Sequence, residues 1–408
     1  MRKSVMNFIE KNWDRCISES RTDREDMIGV PYPYSTPNSG CFDAVYYWDT
    51  YFTNVGLMLA GRQLQAKNNV DAILYLVNKL GFMPNSNKRC HVETNSQPPF
   101  LSEMVREIYE YFKDEVWLSS AFNVLKKEYE FFMTQRITPI GLNAYGSNAM
   151  SMQRSRDVAE MYKRRTGYDY SENEIEKIAY HAIAICESGW DMSPRWLDGA
   201  QNYASVDLNS LMYGFEKNMA YFARELGEDA KIWDDRAAER KQLMIKYMTA
   251  EDGLLMDYNF VTGKHSSVFS VASIYPLYMK VMDQSYAEIV LDNIDRLTGD
   301  FGVYACEKNN YSGAYQWNYP NGWPPHQLIA MKAFNNYGYT ELAKEIARKY
   351  IDVVERSFKK TENLWEKYNV ENGTNDTEQE ISARGKLPDM MGWTAGVYLS
   401  AVDFLENR

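Results

Sequence analysis

Apolar residues recur every three or four positions through most of the chain, and strand-like alternation is scarce. Leu211, Phe215, Met219, Phe222 and Leu226 form one stripe, with Gly227 following as a stop. Beyond Thr340, an N-cap by residue type, Leu342, Ile346, Tyr350, Val353 or Val354, and Phe358 share a side, while Glu341, Lys344, Glu345 and Lys349 fall elsewhere. The same period predicts helices over about 65–80, 101–112, 116–136, 174–186, 229–248 and 286–296. Long polar, aromatic and Gly/Pro-rich loops separate them at 31–43, 84–99, 188–206, 307–325 and 371–388. Loops of this length in a compact protein are usually functional.

The pattern specifies an all-α protein. About a dozen helices spread over 408 residues give a helix-plus-loop period of about 34, which fits an (α/α)6 barrel, an inner ring of helices wrapped by an outer one. No linker-like shift in composition and no internal repeat interrupts the chain, so residues 1–408 read as one domain.

Composition narrows the partners. The chain is 45% hydrophobic and 25% charged, enough for a large core. A net charge of −11 repels phosphate backbones and anionic headgroups, so neither nucleic acid nor a membrane is expected as partner. The 10 Trp and 31 Tyr offer faces that stack on sugar rings. Cys16, Cys41, Cys90, Cys186 and Cys306 are odd in number and scattered, and read as free thiols. His91, His181, His265 and His326 have no metal-ligand spacing, so no metal or other cofactor is expected. The first residues lack the apolar run of a signal peptide, and on that ground the cytoplasm is the expected location.

Hydrolysis of a glycoside needs two carboxyl groups, one to protonate the leaving oxygen and one to activate water or attack the sugar. Among 56 acidic residues only context selects. Asp191 lies in Glu187-Ser188-Gly189-Trp190-Asp191, followed by Arg195 and Trp196, where large apolar neighbours would hold a proton on it. A helix-terminal Asp among structural aromatics fits the same string. Glu366 in Trp365-Glu366-Lys367-Tyr368 is a weaker signal, since a Glu beside a Lys is usually a solvated surface pair. Gln316-Trp317-Asn318-Tyr319-Pro320-Asn321-Gly322-Trp323 combines stacking faces with neutral hydrogen-bonding groups, as a sugar site requires, or covers a barrel end as a packed turn. Asp49 in Tyr46-Tyr47-Trp48-Asp49 would accept from two sugar hydroxyls, or cap a helix beginning at Thr50.

Taken in order, these segments resemble glycoside hydrolase family 37, the trehalases, and more distantly the α-glucosidases and glycosylglycerate hydrolases of family 63. Ser96-Gln97-Pro98-Pro99-Phe100, Val206-Asp207-Leu208-Asn209 and Gly392-Trp393-Thr394-Ala395-Gly396-Val397 extend the likeness, which spans about residues 35–400. The resemblance implies an (α/α)6 barrel, an inverting mechanism without cofactor and a small carbohydrate substrate. It implies Asp191 as general acid and Glu366 as general base. It also implies Trp48, Asp49 and Asn85 as sugar-binding residues, with Asn95, Gln97, Trp190, Arg195, Trp317, Asn318, Trp323, Arg384 and Trp393 as further binding or wall positions.

Three departures bear on the substrate. Cys41 and Asn95 stand where trehalases carry arginines, and Arg384 falls where they carry a substrate-contacting Glu. Trehalose is therefore not the expected substrate; an α-glucoside with a different, polar or acidic aglycone is. The competing readings on the same barrel are a sugar-binding protein that has lost turnover and a sugar epimerase or lyase. Retention of both carboxylates argues against the first, and the scarcity of histidines against the second.

Overall fold

A computed structural model describes residues 1–197, 199–311, 315–376, 389 and 391–406. In chain order its helices are α1 (Arg2–Asn12), α2 (Tyr47–Leu59), α3 (Gln63–Leu80), α4 (Arg89–Val92), α5 (Leu101–Phe112), α6 (Glu115–Gln135), α7 (Met152–Thr166), α8 (Ile175–Glu187), α9 (Val206–Glu225), α10 (Lys231–Met248), α11 (Tyr275–Tyr278), α12 (Gln284–Asn293), α13 (Pro324–Asn336), α14 (Thr340–Thr361) and α15 (Gly392–Glu406). Each periodic segment of the sequence is one of these helices, with ends shifted by a few residues. Thr340 is the first helical residue rather than the cap, which is Tyr339.

α2, α5, α9, α11, α13 and α15 pack each on the next, and α15 returns to α2. This closed ring is the inner layer of an (α/α)6 barrel. α3, α6, α10 and α14 pack against its outer side, with α1 on α14, while α7 and α8 form a hairpin that packs chiefly on itself. Strands are two-residue ribbons between loops.

Burial explains why the two layers read so differently in sequence. α14 buries one stripe, Ala343, Ile346, Ala347, Tyr350, Ile351, Val353, Val354, Ser357 and Phe358, against the inner helices. α2 is buried continuously from Tyr47 to Leu57, because it touches neighbours on all sides. The ring closes most tightly where α2 crosses α15. A Cβ on Gly396 would collide with the Phe52 carbonyl oxygen, and one on Gly56 would lie 2.5 Å from the Gly396 Cα, so only glycine fits at either position.

The inner helices share one direction. Trp48 and Asp49 of α2 and Trp393 of α15, with Gln97 and Trp323 just ahead of α5 and α13, line one cavity. Met58, Glu107, Asn335 and Asp403, from later turns of the same helices, line another at the opposite end. The loops at 31–43, 84–99, 188–206 and 307–325 therefore converge, through their described residues, on the first cavity, at the helix N-termini.

Candidate active site

The first cavity has a volume of about 390 Å3 and brings together residues from across the sequence, including the carboxylates Asp49, Asp191 and Glu366. Hydrogen bonds between the loops hold it in shape. The backbone N–H of Trp48 donates to Gln97 Oε1 at 3.1 Å. The fully buried Glu187 accepts from the backbone N–H of Ser96 at 2.8 Å and of Gly146 at 2.7 Å, and from Arg136 Nε at 2.7 Å. The Glu that opens the Gly-Trp-Asp segment is thus the joint that locks that segment to the Ser-Gln-Pro-Pro loop. Gly189, at φ +75°, turns the chain directly against Trp48: a Cβ there would lie 2.6 Å from the indole.

Glu366 is set on the far side of the ring. The strands Asn321–Gly322 and Tyr368–Asn369 pair antiparallel, which fastens the tryptophan loop to the Glu-Lys-Tyr segment. Trp393 Nε1 donates to the Glu366 carbonyl at 3.0 Å, and Thr394 Oγ1 to the Trp365 carbonyl at 2.6 Å. Lys367 overturns the surface-pair alternative. It is fully buried, with Nζ 3.2 Å from Glu366 Oε2 and 4.5 Å from the centre of the Trp323 ring. A buried ammonium between a carboxylate and an indole face fixes the Glu366 side chain by charge and cation–π attraction together.

The aromatic wall is a stack. Trp317 and Trp323 lie parallel, with ring centroids 3.7 Å apart and planes within 4°. Trp48 leans on Trp317 at 5.5 Å, and Trp393 meets Trp48 edge-on at 6.0 Å. Each such pair contributes roughly 0.5–1.5 kcal/mol beyond burial, so the wall is rigid before any sugar arrives.

Asp49 is the third residue of α2 and does not cap it; the cap is Tyr46, and Asp49 faces the cavity. Burial pushes its carboxyl up to about 8, outweighing its own backbone N–H, with Glu366 and Asp191 adding repulsion. At neutral pH it holds its proton, and so offers one donor as well as an acceptor. Asp191 is more open, its side chain 32% exposed, and Arg165 Nη1 lies 3.4 Å from its Oδ2.

Of the remaining expected positions, Asn85, Asn95 and Gln97 lie in the wall. Asn318 does not line the cavity and exchanges amide hydrogen bonds with Asn309 at 2.7 and 3.2 Å. Trp190 and Arg195 sit behind the wall. Arg195 is fully buried, bidentate to both Asp207 and Asp257 at 2.8–3.1 Å, its guanidinium 4.2 Å from the Trp190 ring and 4.3 Å from Trp196. It clamps the loop carrying Asp191 to the start of α9. Cys41 is exposed and off the cavity, and Arg384 lies outside the described residues.

One part of the wall has no counterpart among the expected residues. Arg154, Asp157, Val158, Met161 and Arg165 of α7 all line the cavity. α7 begins where the Ser151 hydroxyl accepts the Arg154 N–H and ends on Gly167 at φ +76°. Its apolar stripe, Val158, Ala159 and Tyr162, packs on α8, and a neighbouring stripe with spacings of four, three and four puts Arg154, Val158, Met161 and Arg165 toward the cavity. That spacing is visible in the sequence and is its only signal.

The trehalase family model matches residues 3–406. A periplasmic trehalase of Xanthomonas axonopodis pv. citri is 29% identical over 99% of this chain and 74% of its own length, and one of Salmonella agona 28% over 93% and 70%. Among solved structures, the neutral trehalase of Saccharomyces cerevisiae superposes with a TM-score of 0.78 at 24% identity, covering 92% of this chain and 74% of its own. The family 63 mannosylglycerate hydrolase of Thermus thermophilus superposes at 0.64 with 14% identity over 98% of both chains. These structures share the fold. The names of the relatives correct the expected cytoplasmic location: they are periplasmic enzymes, and the missing apolar run at the start of this sequence does not outweigh them. The match over nearly the whole length shows that the chain belongs to the trehalase family of glycoside hydrolases.

Proposed function

We propose that the protein hydrolyses a small α-glucoside with inversion, Asp191 acting as general acid and Glu366 as general base. The observation that carries this reading is that both carboxyl groups line one aromatic-walled cavity, although 175 residues separate them in sequence. Asp191 protonates the glycosidic oxygen as the bond from the anomeric carbon breaks. Glu366 takes a proton from a water whose oxygen attacks that carbon from the opposite face, so an α-linked substrate yields a β product. Arg165 then faces the carboxylate that Asp191 becomes, and Lys367 holds Glu366 in place. Trp48, Trp317, Trp323 and Trp393 supply the stacking faces, and Asn85, Asn95 and Gln97 neutral hydrogen bonds. The relatives' name points to an α-linked glucose; Asn95, in the wall where trehalases carry Arg, supports an aglycone other than a second glucose.

A second proton donor calls for a test, because Asp49 keeps its proton to about pH 8. α-Glucosyl fluoride separates the two, since fluoride leaves without full protonation. Asp191→Asn is expected to lose at least about 100-fold on O-glucosides and to recover most of it on the fluoride. Recovery by Asp49→Asn instead would move the acid to Asp49. Proton NMR of the first product is expected to show the β anomer; the α anomer would refute inversion.

A further inference from the structure

The α7 wall is chemically unlike the rest of the cavity. Trp48 and Glu366 are almost wholly buried, Asp191 is about a third exposed, and Asp157 of α7 is exposed, so the wall runs outward from aromatic floor to α7. Among the described residues the floor has three carboxyl groups and no arginine, whereas α7 brings two arginines. Arg165 has Asp191 as its partner. Arg154 is half-buried, its Nε is enclosed without a hydrogen-bond partner, and among the described residues no carboxylate pairs with its guanidinium. Asp157, one turn on, is engaged instead by Gln153 Nε2 at 3.0 Å. His91, the other ionisable group beside it, is held neutral down to about pH 4 by burial, by Lys88 and by Arg154 itself, so it offers Arg154 no counter-charge.

A guanidinium lining a catalytic cavity and lacking a carboxylate partner is a site for an anion. We propose that the outer, leaving-group side of the cavity receives an oxyanion on the aglycone, a carboxylate or a phosphate, with Arg154 its principal contact and Arg165 a secondary one. This rests on the glucosidase reading above, in which Asp191, the partner of Arg165, faces the leaving group. A planar fork of N–H donors discriminates against a neutral hydroxyl by losing a charge-assisted pair, an effect on the order of 10- to 100-fold.

Three α-glucosides that differ only in the aglycone test this: glucosylglycerol, glucosylglycerate and glucosylglycerol phosphate. At least one anionic substrate is expected to exceed the neutral one in kcat/KM by about 10-fold or more, and which one does identifies the oxyanion. Arg154→Met is expected to abolish that preference through KM, leaving glucosylglycerol within about threefold of wild type. Equal rates on all three, or an equal loss on all three in Arg154→Met, would overturn the proposal. Calorimetric titration of the wild type and of Arg154→Met with glycerate and with glycerol phosphate reads the site without turnover. If no glucoside is cleaved but an anion binds in an Arg154-dependent way, the glucosidase reading fails and the anion site stands; if glucosides are cleaved and neither anion binds, the reverse holds.

Discussion

The floor of the cavity and the α7 wall solve opposite problems. On the floor, Trp48, Trp317, Trp323, Trp393, Asp49 and Glu366 come from four segments of the barrel and are cross-tied by Trp48 to Gln97, Trp393 to the Glu366 carbonyl and Lys367 to Glu366. The α7 wall comes from one helix outside the inner ring, packed chiefly on α8 and carrying charge at both ends of its cavity stripe. A rigid floor suits chemistry that needs fixed distances. A charged helix standing outside the ring can change its residues without disturbing the barrel, which suits choice of leaving group.

The sharpest way to break this contrast is to cut the floor. Glu366→Gln keeps size and packing while removing both the base and the charge that faces the buried Lys367, so turnover of every substrate is expected to fall by at least about 100-fold and the thermal midpoint to fall while the unfolding transition stays cooperative. Arg154→Met, by contrast, is expected to change only anionic substrates. If the two variants lose activity in the same proportion on neutral and anionic glucosides, floor and wall are not separate functions.

Behind the floor, Arg195 provides a structural contrast with the α7 arginines. Its two aspartates are as buried as it is, so Arg195→Met leaves them uncompensated and is expected to lower stability by about 3–5 kcal/mol, read by urea denaturation. Arg154→Met removes a cation without a carboxylate partner and is expected to leave the urea midpoint nearly unchanged.

The same distinction shows what the sequence could reveal. Outer helices such as α14 announced themselves through one apolar stripe, whereas α2, α13 and α15, buried on nearly all sides, showed no two-sidedness for periodicity to detect. The floor was legible through its motif strings, though not through their physics. Glu366 looked like half of a surface pair because nothing local shows that Lys367 ends beneath the Trp323 ring. Arg195 and Trp190 stood in the right motif but turn behind the wall, since the partners of Arg195, Asp207 and Asp257, lie 12 and 62 residues away. α7 was passed over because its basic residues mask a short apolar stripe, and no motif contains it.

pH probes the floor more gently. The folded-state value of Asp49, about 8, lies above its unfolded value near 3.8, so folding takes up a proton between the two. This contribution is fully present below about pH 4 and is lost as pH rises through about 8. Over the same upper range ionised Asp49 adds charge beside Glu366 and Asp191, and kcat/KM for a neutral glucoside is expected to fall about 10-fold per pH unit above about 8. Asp49→Asn is expected to flatten that limb. An unchanged limb in the variant would assign it to another group.

The smallest effect expected joins the two regions. His91 lines the cavity beside both, its Nδ1 2.7 Å from Ser86 Oγ, and is held down to about 4 by burial first, then Lys88, then Arg154. Its folded value lies below the unfolded one near 6.5, so the protein loses stability as pH falls from about 6.5 toward 4, where the unfolded chain takes the proton and the folded one refuses it. Arg154→Met removes the weakest of the three causes. The His91 titration, followed by NMR, is therefore expected to move upward only slightly, with burial still keeping it well below 6.5. A glycerate-bound wild type is expected to shift it the same way, because an anion on Arg154 cancels the same charge. If glycerate moves His91 equally in Arg154→Met, the anion sits elsewhere, and the division between floor and wall loses its chemical basis.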